Sequence, residues 1–158
     1  MSEALIHGDT DLVLPDQLLA LISKGIWPTS DNSQRQNLKP IYRNKHAYKD
    51  RFEMDTLFLY PPPFVLVSED IVDGDHFWKD KALTQYFGQS LTHGIEPELA
   101  VILGDFGPGT DAIFILDYQF DLKNPQITGM DYGEVSNQKG WTQLANNIDE
   151  FCEVIGLS

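Results

Sequence analysis

Two uninterrupted apolar runs, residues 99–103 (LAVIL) and 112–116 (AIFIL), flank a connector rich in Gly, Pro and Asp within ELAVILGDFGPGTDAIFILDY, residues 98–118. Runs of this length, bounded by turn residues, predict two strands buried on both faces and joined by a tight loop. Gly107 and Gly109 open turn conformations closed to other residues, Pro108 stiffens the bend, and Thr110 and Asp111 offer side-chain oxygens to free backbone amides.

The pattern elsewhere is mixed. Leu14-Pro15-Asp16 opens a helix whose apolar stripe is Leu18, Leu21 and Ile22, widened by Leu19, with Gly25 as its stop. Ile26-Trp27-Pro28 leaves the helix. Residues 57–60 (LFLY) predict a short strand ended by Pro61-Pro62-Pro63, and 64–67 a second. Residues 69–80 read as a solvated acidic loop around Asp73-Gly74-Asp75, and 77–87 as a helix offering Phe77, Leu83, Tyr86 and Phe87 to the core. A short strand is expected at 125–128, a polar excursion over 129–140, and a last strand at 141–145. Asn147 with Glu150 matches a capping box with Asp149 and Glu150 as acids in the first turn, and Ile148, Phe151, Cys152 and Ile155 repeat at helical spacing up to Gly156. The expectation is one α+β domain over 1–158.

Composition sharpens this in one respect. With 158 residues, 42% hydrophobic and 22% charged, the chain is long enough to bury a core without disulfides. Its one cysteine, Cys152, falls on the apolar face of the last helix and reads as a buried thiol in a reducing compartment. The first residues, MSEALIHGDTD, lack the basic and apolar regions of a signal peptide, and no apolar run approaches the ~20 residues of a membrane span. A cytoplasmic protein without membrane contact is expected. The charge is the outlying quantity. Eleven basic residues face 24 acidic ones, a net charge of −13. Residues 35–51 hold six Lys/Arg and one Asp, so the remainder carries five basic and 23 acidic residues, a balance of −18. Such a chain repels phosphate and favours basic partners. The 35–51 segment, with Tyr42 and Tyr48, reads as a loop with a helical turn, and its basic patch as intramolecular or partner-facing rather than as a nucleic-acid site.

Catalytic signatures are sparse. Asp105-Phe106-Gly107 spells a magnesium-binding tripeptide of kinases, but the catalytic loop, phosphate loop and APE segment that accompany it are missing. Asp70-x-x-Asp73-Gly74-Asp75 lacks the alternating ligands and terminal Glu of a calcium loop. His7, His46, His76 and His93 show no metal-ligand spacing, and His76, beside Asp75, is the best placed of them. Trp27, Trp78 and Trp141 each adjoin apolar sequence and read as core. No cofactor is implied.

Taken in order, several segments resemble the SUKH superfamily, which joins bacterial immunity proteins to fungal Smi/Knr-type cell-wall regulators. They are the Leu-Pro helix running to Gly25-x-Trp27-Pro28, the LYPPPF stretch 59–64, and Phe77-Trp78 after an acidic turn. The densest match is IEPELAVILGDFGPGTDAIFILDY (95–118), which continues to Pro125, Trp141 and the closing NNIDEFCEVIGL (146–157). The resemblance implies an α+β fold in which a central, mostly antiparallel β-sheet is packed by N-terminal and C-terminal helices. It also implies a non-enzymatic binding domain, and in many bacterial members a role in neutralising a toxin, often a nuclease.

The leading expectation is therefore an immunity-type protein that occludes a basic toxin, with Glu69, Asp70, Asp73, Asp75, Glu96 and Glu98 as partner-binding candidates chosen by charge and loop placement. Two alternatives stay open: a regulatory or scaffold protein with a non-toxin partner, and a hydrolase or ligand-binder using Asp105, Asp111 and His76.

Overall fold

The structure, a computed structural model, describes residues 5–29, 39–42, 56–73, 76–106, 112–132, 139–155 and 157. The predicted buried strands are present as β5 (Ala100–Asp105) and β6 (Ile113–Asp117), paired antiparallel. Every residue of β5 is buried, as is β6 from Phe114 onward. They form the middle of an eight-stranded sheet ordered β1 (Ile6–His7), β4 (Phe64–Leu66), β5, β6, β7 (Gln126–Tyr132), β8 (Lys139–Ala145). Beyond the end of β4, β3 (Thr56–Leu59) also pairs with β5 and carries β2 (Lys39–Tyr42). All these pairings are antiparallel except β1 with β4, so the fold is α+β on one mixed, mostly antiparallel sheet.

Helices cover both faces. The terminal helices α1 (Asp16–Ser23) and α4 (Ile148–Ile155) touch each other, and α4 lies on β7 and β8. Its Phe151 ring meets Phe114 at 5.4 Å, and Phe114 meets Phe106 at the same distance. Strand alternation puts Tyr132 on the opposite face from Phe114, which lies across from Gly129. There α3 (Lys81–Phe87) packs Phe87 and Tyr86 against Tyr132 at 5.3 and 5.4 Å. Short α2 (Val67–Val72) leans on β4 and β5.

Local chemistry explains the boundaries. Leu18 is the buried residue of α1, and the helix stops where Lys24 N–H bonds to Ala20 and Gly25 takes φ +73°. Asn147 Oδ1 accepts from Glu150 N–H at 2.9 Å, the cap expected for α4, while the Glu150 carboxylate accepts from Asn146 rather than closing the box. Ile148, Phe151, Cys152 and Ile155 are all buried. The three tryptophans are structural: their indole N–H groups donate to Tyr60 O (Trp27), Asp70 Oδ2 (Trp78) and Leu91 O (Trp141).

Five expectations need correction. Residues 67–72 are helix, not acidic loop, because Val67 and Ile71 pack inward while Glu69 and Asp70 occupy the first turn, where the helix dipole favours acids. The 77–87 helix is split: His76–Lys79 form a 3-10 turn, and Asp80 restarts the chain by accepting from Leu83 N–H at 3.0 Å. Tyr86 lies mostly exposed rather than in the core. The strand at 125–128 extends through Met130, Asp131 and Tyr132, all buried, so 129–132 is not a polar excursion. Lys39–Tyr42 is a strand, paired with β3, not a loop with a helical turn. The connector 107–111, Gly156 and the rest of the basic segment lie outside the described residues.

Cys152 is buried on α4, and burial, with the Asp149 carboxylate adding to it, pushes its thiol from an ordinary value of 9.0 up to about 11. The native protein should therefore resist thiol reagents at pH 8 and react only on unfolding. Because the native state keeps this proton while an unfolded chain releases it near pH 9, the thiol's contribution to stability is intact below pH 9 and lost as pH rises to about 11. A urea titration across that window, compared with Cys152→Ala, isolates the effect.

Candidate functional site

Where the amino-terminal arm crosses the end of the sheet, the chain forms an open groove of about 1200 Å³. Its walls are the arm 9–17, Ser68, Glu69 and Val72 of α2, Glu98 and Leu99 before β5, Leu122 to Asn124 on the loop after β6, and Asn147 and Asp149 at the start of α4. The arm is tied down from beneath. Tyr118, fully buried at the end of β6, donates its hydroxyl to Val13 O at 2.9 Å, and burial raises the pKa of that hydroxyl. Leu14 and Pro15 are buried, whereas Val13 and Asp16 on either side of them face solvent.

Among the described residues, six carboxylates line the groove, those of Asp9, Asp11, Asp16, Glu69, Glu98 and Asp149, against the single ammonium of Lys123. All but Glu69 are exposed. Glu69 lies over Gly8, where φ is +116° and an added Cβ would sit 2.9 Å from Glu69 Oε1; the glycine lets the arm pass beneath the carboxylate. Such a concentration of one sign focuses a negative field into the concavity and attracts cationic groups.

The sequence candidates divide. Glu69 and Glu98 meet in the groove. Asp70 accepts the Trp78 indole N–H at 2.6 Å and fastens α2 to the 3-10 turn. Asp73 is exposed at the end of α2, and Glu96 is exposed just before the Pro97–Leu99 turn; neither lines the groove. Asp75, Asp111 and the His76 side chain lie outside the described residues. Asp105 is buried and accepts from the Tyr60 hydroxyl at 2.7 Å, joining β5 to the exit of β3. Sequence reasoning passed over Asp9 and Asp11 and used Asp16 only to open the first helix, although residues 1–23 contain no lysine or arginine. It noted Asp149 only as a first-turn acid.

Among the described residues, no group of three or more His, Cys, Asp or Glu side chains is placed to hold a metal ion, and no helix is long and apolar enough to cross a membrane. In comparison with known proteins, no family model, no curated protein and no solved structure matches the chain.

Proposed function

We propose that the chain is a non-catalytic, immunity-type binding protein that presents its acidic groove to a basic toxin and blocks it. The observation that carries this reading is the lining of the groove, six carboxylates to one lysine among the described residues, on a chain of net charge −13. A nuclease is the toxin class that fits best. Its active cleft must be basic to receive phosphate, so an acidic face associates with it quickly and competes with substrate. The resemblance to the SUKH superfamily points the same way. Glu69 and Glu98, with Asp9, Asp11, Asp16 and Asp149, are the contact residues in this reading.

Co-expression with a toxin encoded by a neighbouring gene should protect the cell, and the two proteins should co-purify. The double variant Asp11→Lys/Glu98→Lys should slow association about tenfold at low salt, with little change in dissociation, and should flatten the salt dependence. Absence of both binding and protection with every locally encoded toxin overturns the proposal.

A further inference from the structure

The exposed apolar side chains are not scattered over the surface. Among the described residues five large hydrophobics stand out in solvent. Val13 (70% exposed), Val72 (79%) and Leu122 (61%) line the acidic groove, and Phe120 (73%) lies two residues from Leu122 on the same loop. The fifth, Tyr86, is elsewhere and has the Lys139 ammonium 4.9 Å from its ring centre. Val13, Val72 and Leu122 come from three separate walls: the arm, α2 and the loop after β6. None is needed to close the core, which their neighbours Leu14, Ile71 and Pro125 help to cover. Aliphatic groups left in water on three sides of one concavity gain free energy only when something covers them.

The surrounding charge says what that is. A nucleic acid or polyphosphate is repelled by six carboxylates. A purely apolar segment would strip water from those carboxylates without replacing it. A featureless polycation would pair with the rim and leave the aliphatic groups wet. We propose that the groove is a bipartite docking site for a protein segment in which an aliphatic or aromatic side chain is flanked by lysines or arginines. This rests on the reading of this face as the partner-binding surface. The apolar contact with Val13, Val72 and Leu122 holds the complex together and governs dissociation, while Asp11, Asp16, Glu98 and their neighbours steer the encounter.

The test uses the whole chain and two synthetic peptides of equal length and lysine content. One carries a central Trp-Leu pair, the other Ser-Gly in its place. At physiological salt the Trp-Leu peptide should bind about tenfold more tightly, a modest fraction of what two buried apolar side chains can supply. Val72→Ser should erase most of that advantage while leaving the Ser-Gly peptide unchanged, and Leu122→Ser should do the same. Asp11→Asn/Glu98→Gln should weaken both peptides alike. Equal affinity for the two peptides, binding of neither, or indifference to both serine variants overturns the bipartite site. The two proposals separate in the toxin assay. Protection that survives Val72→Ser/Leu122→Ser removes the apolar anchor and keeps the immunity reading, whereas peptide selectivity without protection by any locally encoded toxin does the reverse.

Discussion

Gly104→Ala is expected to destabilise the protein by about 3 kcal/mol, at the upper end of overpacking costs. A glycine inside a strand normally weakens it, and replacement by alanine would ordinarily gain about 0.5–1 kcal/mol. Here the sign reverses because of what a methyl group would meet. Gly104 sits at the irregularity in β5, where the register against β6 shifts between Ile102 and Gly104. An added Cβ would overlap the Phe58 carbonyl oxygen outright and stand 2.7 Å from Phe114 Cζ. The ring can turn; the carbonyl belongs to β3, fixed by the pairings Phe58 with Asp105 and Leu59 with Gly104 and by Tyr60 N–H donating to Leu103 O at 2.8 Å. Relief therefore requires β3 to leave β5, taking β2 with it and breaking the Tyr60 hydroxyl bond to Asp105. Gly129→Ala is the informative comparison. Its Cβ would press on Leu144 Cδ1 and Phe106 Cζ at 3.0 Å, both ends of side chains that can yield, so it should cost about half as much. Urea denaturation measures both. Hydrogen exchange in Gly104→Ala should show protection lost first in β3 while β6 and β7 stay protected. A neutral Gly104→Ala would mean that β3 does not approach β5 as described.

The same neighbourhood shows why some of the fold is legible in the sequence and some is not. Strands β5 and β6 announce themselves because both faces are covered, so no polar residue interrupts the runs at 99–103 and 112–116. Only the first half of β7 is legible, because Gly129 lies under Phe106 and Leu144 and Asp131 is buried; each breaks the apolar pattern for a tertiary reason. Helix α2 hides behind its own charge, since only Val67 and Ile71 point inward while Glu69, Asp70 and Asp73 dominate the composition. Pro40 and its basic neighbours conceal β2, whose pairing is decided by β3.

For the groove, local sequence identifies Glu69 and Glu98 as charged and accessible, but nothing local joins them to Asp11 or Asp149. That juxtaposition depends on Tyr118 reaching back to Val13 and on α4 closing beside α1. Asp70 is the converse case. It has the same charge as Glu69 next to it, yet it is taken by the Trp78 indole, a partner that becomes visible only once the fold sets the 3-10 turn His76–Lys79 beside α2. Charge alone therefore overstates the number of available carboxylates on α2 and understates the number around it.

Trp27→Ala should cost about 3–5 kcal/mol, the range for deleting a large buried aromatic side chain. Trp27 has no exposed surface and stands edge-on to Phe64 at 6.3 Å, so its ring fills the space between the exit of α1 and β4. Its indole N–H donates to Tyr60 O at 2.8 Å, and its backbone N–H donates to Leu21 O at 3.1 Å, closing the turn that ends α1. Removing the ring opens a cavity beside β4 and deletes the donor that links this turn to the end of β3. Trp27→Phe separates the two contributions. It keeps an aromatic body against Phe64 but supplies no N–H to the Tyr60 carbonyl, and it should cost about 1–3 kcal/mol. If both variants fall equally, the hydrogen bond carries the position; if Trp27→Phe is nearly neutral, packing does. Since α1 begins at Asp16, a groove residue, and ends in the turn that Trp27 anchors, the Ala variant should also weaken binding of the Trp-Leu peptide, by loosening the wall rather than by removing a contact.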